Sequence, residues 1–159
     1  MNNKSFTLKF TGNAKNKGSM RNDIDVSFES MNETFKLATD EGAFHGGKGT
    51  APPPLALFTA SLCGCIMTQI KAFGKKLKIE VNEIEIDASM EWQGEVLEEG
   101  PYKASCDGYN LDIDIISKEP IERKKKLLKA AINGCFIEAS LKPGIVKHRL
   151  KDKENWISV

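Results

Sequence analysis

Apolar and polar residues alternate in three short runs near the start of the chain, which is the pattern of strands with one buried face. These runs are residues 5–10, residues 24–28 and a third that begins at Phe35. Residues 12–22 between the first two runs are polar and predict a loop that carries Arg21. Together they predict an antiparallel meander with one face in water.

Three further strands are predicted in the second half of the chain, over residues 77–92, 106–116 and 145–150. In the first of them the alternation shifts by one residue at Asn82 and Glu83, which predicts a β-bulge. Strands in two groups, separated by helical segments, are typical of the α+β class. We therefore expect a single α+β domain over residues 1–159.

Two helices are predicted between these strands. Residues 40–54 are rich in glycine and proline and predict a loop, after which a helix runs from Pro54 to Phe73 and stops at Gly74. This helix is apolar nearly all round, which indicates a central, fully covered helix. A second helix opens near Pro120, and its apolar stripe Leu128, Ala131, Ile132, Cys135 and Ala139 places Cys135 on the inward face.

Composition excludes several classes of partner. The chain has 40% hydrophobic and 28% charged residues with a net charge of +1, so electrostatics give no reason to expect nucleic acid or a membrane surface. The apolar stretch at residues 55–70 is shorter than a spanning helix, and residues 1–5 lack the apolar core of a signal peptide. We expect a cytoplasmic protein, in which cysteines are structural, metal-binding or catalytic.

Two of the four cysteines carry the candidate chemistry. Cys65 and Cys135 lie on helices that the pattern predicts to be buried, so they are either inert packing or a dithiol redox centre. Cys63 and Cys106 are interpreted as packing residues, and Cys63 cannot bond Cys65 because the two point to different sides of one helix. Only two histidines exist, neither at a ligand spacing, so no metal and no cofactor is expected; His45 is interpreted as a loop residue.

A reactive cysteine needs a cation nearby, because only the thiolate attacks a peroxide or a disulfide. Cys65 lies about three turns into its helix, beyond the reach of the helix dipole, and burial raises the pKa of a thiol. Arginine stays charged when dehydrated, and the chain has three: Arg21, Arg123 and Arg149. Arg21, on the first loop, is the one that we place at the site.

The chain resembles the OsmC/Ohr family, the osmotically inducible and organic hydroperoxide resistance proteins. The resemblance runs from Asp40 and Glu41 through Gly46 and Gly47 and the proline cluster to the ASLCGC segment at residues 60–65. A second cysteine follows on the helix after the second sheet, where Gly134 and Cys135 lie. The order of the elements also agrees, so the resemblance covers most of the chain.

This resemblance implies an intertwined homodimer, with antiparallel sheets wrapped around a long central helix. In the peroxidase members, the first cysteine reduces an organic hydroperoxide and becomes a sulfenic acid, the second condenses with it to a disulfide, and an external dithiol reduces the disulfide. By position, Cys65 would be the peroxidatic residue and Cys135 the resolving one. Arg21 would match the family arginine that stabilises the thiolate. The implied role is oxidative stress defence.

Two departures from the family pattern leave alternatives open. Leu55 stands where peroxidase members carry the glutamate that orients the arginine, and Phe136 stands where a proline commonly follows the second cysteine. The leading hypothesis is a thiol-dependent hydroperoxide reductase. The alternatives are a non-catalytic module that binds a small apolar or acyl ligand in a dimer-interface pocket, and a redox sensor or chaperone-like partner protein.

Overall fold

The computed structural model describes residues 5–159, so residues 1–4, used above to argue against a signal peptide, lie outside the described residues. Within them the chain is α+β, with antiparallel strand pairs and a long helix, as predicted. It divides into two compact units, one ending at Phe58 and the other spanning Thr59–Val159. That residues 1–159 form one domain stays a prediction.

The first unit contains a three-stranded antiparallel meander. β1 (Phe10–Asn16), β2 (Asn22–Phe28) and β3 (Glu33–Thr39) follow one another in space as in sequence. The strand predicted over residues 5–10 is wrong, because β1 begins only at Phe10 and extends through residues 12–16 of the predicted loop. The polar residues of β1 are drawn into a strand because their backbone pairs with β2, from Phe10 opposite Phe28 to Asn16 opposite Asn22.

The long helix α1 (Pro54–Leu77) begins where predicted but continues past Gly74. Gly74 is buried, and a Cβ there would lie 3.1 Å from the carbonyl oxygen of Ile79, so glycine lets the returning chain approach the helix. The turn itself is at Lys78, whose φ of 54° is left-handed, and the Ile79 N–H donates to the Gly74 carbonyl.

Full coverage of α1, by contrast, is not found within one chain. Of its 24 residues, the buried ones are Leu62, Ile66, Ile70 and Gly74. Among the described residues α1 is the helix long and apolar enough to cross a membrane, a test that core helices also pass.

A four-stranded sheet forms the frame of the second unit. Its strands, in spatial order, are β4 (Glu83–Glu95), β5 (Lys103–Ile116), β6 (Val146–Asp152) and β7 (Asn155–Ser158). β4 starts later than predicted, and its irregularity lies at Glu91 and Trp92 rather than at Asn82. β5 and β6 are parallel because two helices connect them as a crossover.

The second predicted helix is interrupted. α2 (Ile121–Asn133) stops before Gly134, and a single further turn, α3 (Phe136–Ala139), follows. Cys135 therefore lies between two helices rather than within one, although it is buried as the apolar stripe predicted. The core of this unit combines one face of α1, the inward face of β5 and one side of α2; its fully buried residues include Leu62, Ile66, Ile70, Leu111, Ile113, Ile115, Leu127, Leu128 and Ala131.

Candidate active site

The second unit brings the side chains of Cys65 and Cys135 together. Cys65 is partly exposed on α1, Cys135 is 1% exposed, and the two side chains are near enough for Cys65 to raise the pKa of Cys135. Two cysteines that are far apart in sequence therefore meet between α1 and the junction of α2 and α3.

Gly134 is the reason that Cys135 can approach α1. A Cβ on Gly134 would lie 2.5 Å from Cε2 of Phe73, a ring carried by α1 two turns after Cys65. Only a residue without a side chain leaves room for that ring, so the end of α2 packs directly on α1. The Gly134 N–H also donates to the Ala130 carbonyl at 3.1 Å, which ends α2 one residue before the cysteine.

Cys135 caps the short helix α3. Its Sγ accepts a hydrogen bond from the Glu138 N–H at 3.4 Å. The pKa of Cys135 is raised to about 12, and burial is the largest cause. The neighbouring Cys65 and the Glu138 charge also raise it, whereas the hydrogen bond from the Glu138 N–H lowers it. Cys135 is therefore a neutral thiol at physiological pH.

A buried ion pair lies beside this sulfur and was missed by the sequence analysis. Nε2 of His148, on β6, lies 3.1 Å from Oε2 of Glu138, and the His148 and Glu138 side chains are 5% and 18% exposed. The signal in the sequence was His148 itself, a polar residue at the inward position between Val146 and Leu150. Its partner could not be read from the sequence because Glu138 belongs to a different element.

Arg21 lies in the first unit, immediately before β2, and its guanidinium group is held at two points. Nε donates to Oδ1 of Asp23 at 2.9 Å, and Nη1 donates to the carbonyl and hydroxyl oxygens of Thr50 at 3.1 and 2.9 Å. Leu55 in place of the family glutamate therefore does not leave Arg21 without a carboxylate partner, because Asp23 supplies one. Sequence reasoning missed both Asp23 and Thr50.

Asp40 in turn fixes Thr50. The backbone N–H and the hydroxyl of Thr50 donate to Oδ2 of Asp40 at 3.0 and 2.7 Å, and these bonds lower the pKa of the buried Asp40 carboxyl. The loop between the two residues needs Gly47, where a Cβ would lie 1.8 Å from the Glu41 carbonyl oxygen. The DE and GG pairs of the sequence thus build a rigid support for Thr50.

The remaining candidates have structural roles. Arg123 pairs with Glu119 at 2.6 Å, Arg149 pairs with Asp112, and His45 lies 3.5 Å from Glu41 on the exposed loop. Burial raises the pKa of Cys63, as a packing role requires. Within residues 5–159, no group of three or more histidine, cysteine or acidic side chains is placed to hold a metal ion.

Comparison with known proteins places this arrangement in a family. The model of the family described as OsmC-like protein matches residues 47–149, about two thirds of the chain. The chain belongs to the OsmC-like family. An OsmC-like hydroperoxide resistance protein from Jannaschia sp. CCS1 is 40% identical, with 96% of this chain and 98% of that chain covered and a TM-score of 0.56.

More distant OsmC-like structures share the fold alone. The organic hydroperoxide resistance protein OsmC from Legionella pneumophila is 19% identical, with 91% and 95% of the two chains covered and a TM-score of 0.62. An OsmC-like protein of unknown function from Vibrio cholerae is 15% identical, with 92% and 100% covered and a TM-score of 0.63. The search of curated proteins finds no match.

The raised pKa of Cys135 predicts a loss of stability at alkaline pH. The folded protein keeps the Cys135 proton up to about pH 12, whereas the unfolded chain loses it near pH 9. This stabilisation is complete below pH 9 and is lost as the pH rises from 9 to 12, by about 1 kcal/mol between pH 9 and 10. Urea unfolding under reducing conditions should show a smaller alkaline loss for Cys135→Ser; an equal loss in both proteins would contradict the assignment.

Proposed function

We propose that this protein is a cytoplasmic, cysteine-dependent reductase of organic hydroperoxides that acts in oxidative stress defence. The closeness of Cys65 to the buried Cys135, two cysteines far apart in sequence, is the observation that carries the proposal. The 40% identical Jannaschia protein, described as a hydroperoxide resistance protein, supports the choice of substrate. In this cycle Cys65 is the peroxidatic residue and Cys135 the resolving one.

The difference in burial between the two thiols supports this division of roles. Cys65 is partly exposed, so a hydroperoxide has access to its sulfur, whereas Cys135 is enclosed and protonated. The Cys65 thiolate attacks the distal peroxide oxygen, which releases an alcohol and leaves a sulfenic acid. Cys135 then displaces hydroxide from that sulfur to give a disulfide and water, and an external dithiol restores both thiols.

Arg21 is the cation that we assign to the Cys65 thiolate and to the departing oxygen. Its support by Asp23 and Thr50 favours this role, because a guanidinium group that is held in place loses little conformational freedom when it binds an anion. The same two contacts supply the carboxylate and the hydroxyl that a catalytic arginine needs for orientation.

The homodimer that the family resemblance implies completes the proposal. The apolar helix α1 has 20 of its 24 residues at least partly exposed in one chain, more apolar surface than a soluble monomer normally leaves in water. A second copy of this chain is the expected cover.

Light scattering after gel filtration should give about twice the chain mass of 17.6 kDa; a monomer at micromolar concentration would exclude this part of the proposal.

The dithiol cycle is tested by the intact mass of the protein after one equivalent of cumene hydroperoxide. We expect rapid loss of two hydrogens, mapped by peptides to a Cys65–Cys135 disulfide. Cys135→Ser should instead trap a Cys65 sulfenic acid that dimedone labels, and Cys65→Ser should lose turnover by at least about 100-fold. Cys106→Ser is the matched control and should behave as the parent protein.

The proposal of a reductase would be overturned if the cysteines did not react with hydroperoxide. If Cys65 and Cys135 both stay reduced in excess hydroperoxide while a lipid co-purifies with the protein, the non-catalytic module for an apolar or acyl ligand takes its place. A turnover that persists in Cys65→Ser would contradict the role of Cys65 directly.

The role of Arg21 is tested through the residue that holds it. Asp23→Asn removes the carboxylate from Nε, so we expect sulfenic acid formation at Cys65 to slow by about tenfold and Arg21→Ala to slow it further. Asp25→Asn is the matched control, since it removes the same charge two residues further along β2 and Asp25 is not a described partner of Arg21. Equal rates in Asp23→Asn and Asp25→Asn would exclude the positioning role of Asp23.

A further inference from the structure

The ion pair between Glu138 and His148 has no part in the dithiol cycle as described so far, yet it adjoins the resolving sulfur. His148 is 7% exposed, and its Nε2 lies 3.1 Å from Oε2 of Glu138. Pairs buried to this degree are costly to form and contribute little net stability. Its place next to a reacting thiol therefore calls for a functional explanation.

Glu138 acts on the sulfur of Cys135 in two opposite ways. Its backbone N–H donates to Sγ at 3.4 Å, which favours the thiolate. Its carboxylate charge raises the pKa of Cys135, which favours the thiol. His148 reduces the second effect and leaves the first in place, because its ring binds the carboxylate and not the amide.

The charged and titratable groups on the elements packed around His148 are few. α3 contributes Glu138 and Cys135, and α1 contributes Cys65. β5 contributes Tyr109 and places Leu111 opposite His148, while the buried side chains of α2 are the apolar Leu127, Leu128 and Ala131. Lys147 and Arg149, the neighbours of His148 along β6, point to the other face of the sheet. The Glu138 carboxylate is the acidic group in direct contact with the His148 ring.

We propose that His148 is a positioning residue for the resolving step: by pairing with Glu138 it balances the carboxylate beside Cys135 and so sets how readily that thiol attacks the sulfenic acid of Cys65. The inference rests on the proposed function. In this step the bond between the two sulfurs forms and the S–O bond of Cys65 breaks. The Cys135 sulfur is oxidised, the sulfenic sulfur is reduced, and the Cys135 proton leaves with the hydroxide as water.

Replacing Glu138 and replacing His148 should change the rate of disulfide formation in opposite directions if the charge of the carboxylate controls it. Glu138→Gln keeps the backbone N–H and removes the negative charge, so the Cys135 thiolate becomes more accessible and the disulfide forms faster. His148→Gln leaves the carboxylate unbalanced, so the disulfide forms more slowly. We expect the rate to change by about threefold or more in each direction, since a nearby charge shifts the pKa of a thiol by roughly half a unit or more. If the pair only held α3 in place, both variants would change the rate in the same direction.

The experiment follows disulfide formation in the full-length protein by quenched mass analysis after one equivalent of cumene hydroperoxide, at pH 6 and pH 8.5. We expect the order of rates to be Glu138→Gln above the parent protein and His148→Gln below it. The double variant Glu138→Gln with His148→Gln should return close to the parent rate. Asp114→Asn is the matched control, because it breaks the Lys151–Asp114 pair on the other face of the sheet with the same change in charge.

A second readout keeps this inference separate from the reductase activity. In a background with Cys63→Ser, Cys65→Ser and Cys106→Ser, the reaction of Cys135 with methyl methanethiosulfonate reports its thiolate without any peroxide. Glu138→Gln should accelerate this reaction and His148→Gln should slow it. Shifts in the same direction, or none, would overturn the role of His148 whether or not the protein reduces hydroperoxides. Opposite shifts without peroxide turnover would leave the role of the pair intact and exclude the reductase.

Discussion

The approach of the Phe73 ring to the backbone at Gly134 is the contact on which the thiol pair depends. α1 carries both Phe73 and Cys65, and the residue after Gly134 is Cys135, so this contact brings the two sulfurs within reach of each other. A side chain at position 134 would occupy the space of the ring, so the ring would have to move away from α2. The chemistry of the second unit therefore rests on one missing Cβ.

Burial gives the two cysteines different surroundings. The core around Cys135 excludes water, which keeps its sulfur protonated, whereas Cys65 retains access to solvent on α1. A protonated sulfur is a poor attacker of peroxide, and Cys135 resolves a sulfenic acid formed next to it only as its own proton is lost. Glu138 and His148 modify this environment through one amide and one pair of charges, without adding exposed surface.

Arg21 shows that a charge network can be rebuilt from different residues. Position 55 is leucine, where peroxidase members carry the glutamate that orients the arginine. Here Asp23, two residues after Arg21, binds the guanidinium group instead. Thr50 adds a hydroxyl contact, and Asp40 and Gly47 fix the loop that carries Thr50. What the arginine requires is a carboxylate and an acceptor at the right distance, whichever positions supply them.

The sequence by itself determined the α+β class, most strands, the start of α1, the burial of Cys135 and the family, because each depends on local periodicity or on a contiguous motif. It misplaced β1, the end of α1 and the break after Asn133, because strand pairing and the close approaches at Gly74 and Gly134 override local preference. Only the tertiary structure decided that Asp23 and Thr50 hold Arg21, and that Glu138 pairs with His148. Thr50 is far from Arg21 in sequence and Glu138 lies on a different element from His148, and a hydrogen bond between elements leaves no periodic trace along the chain.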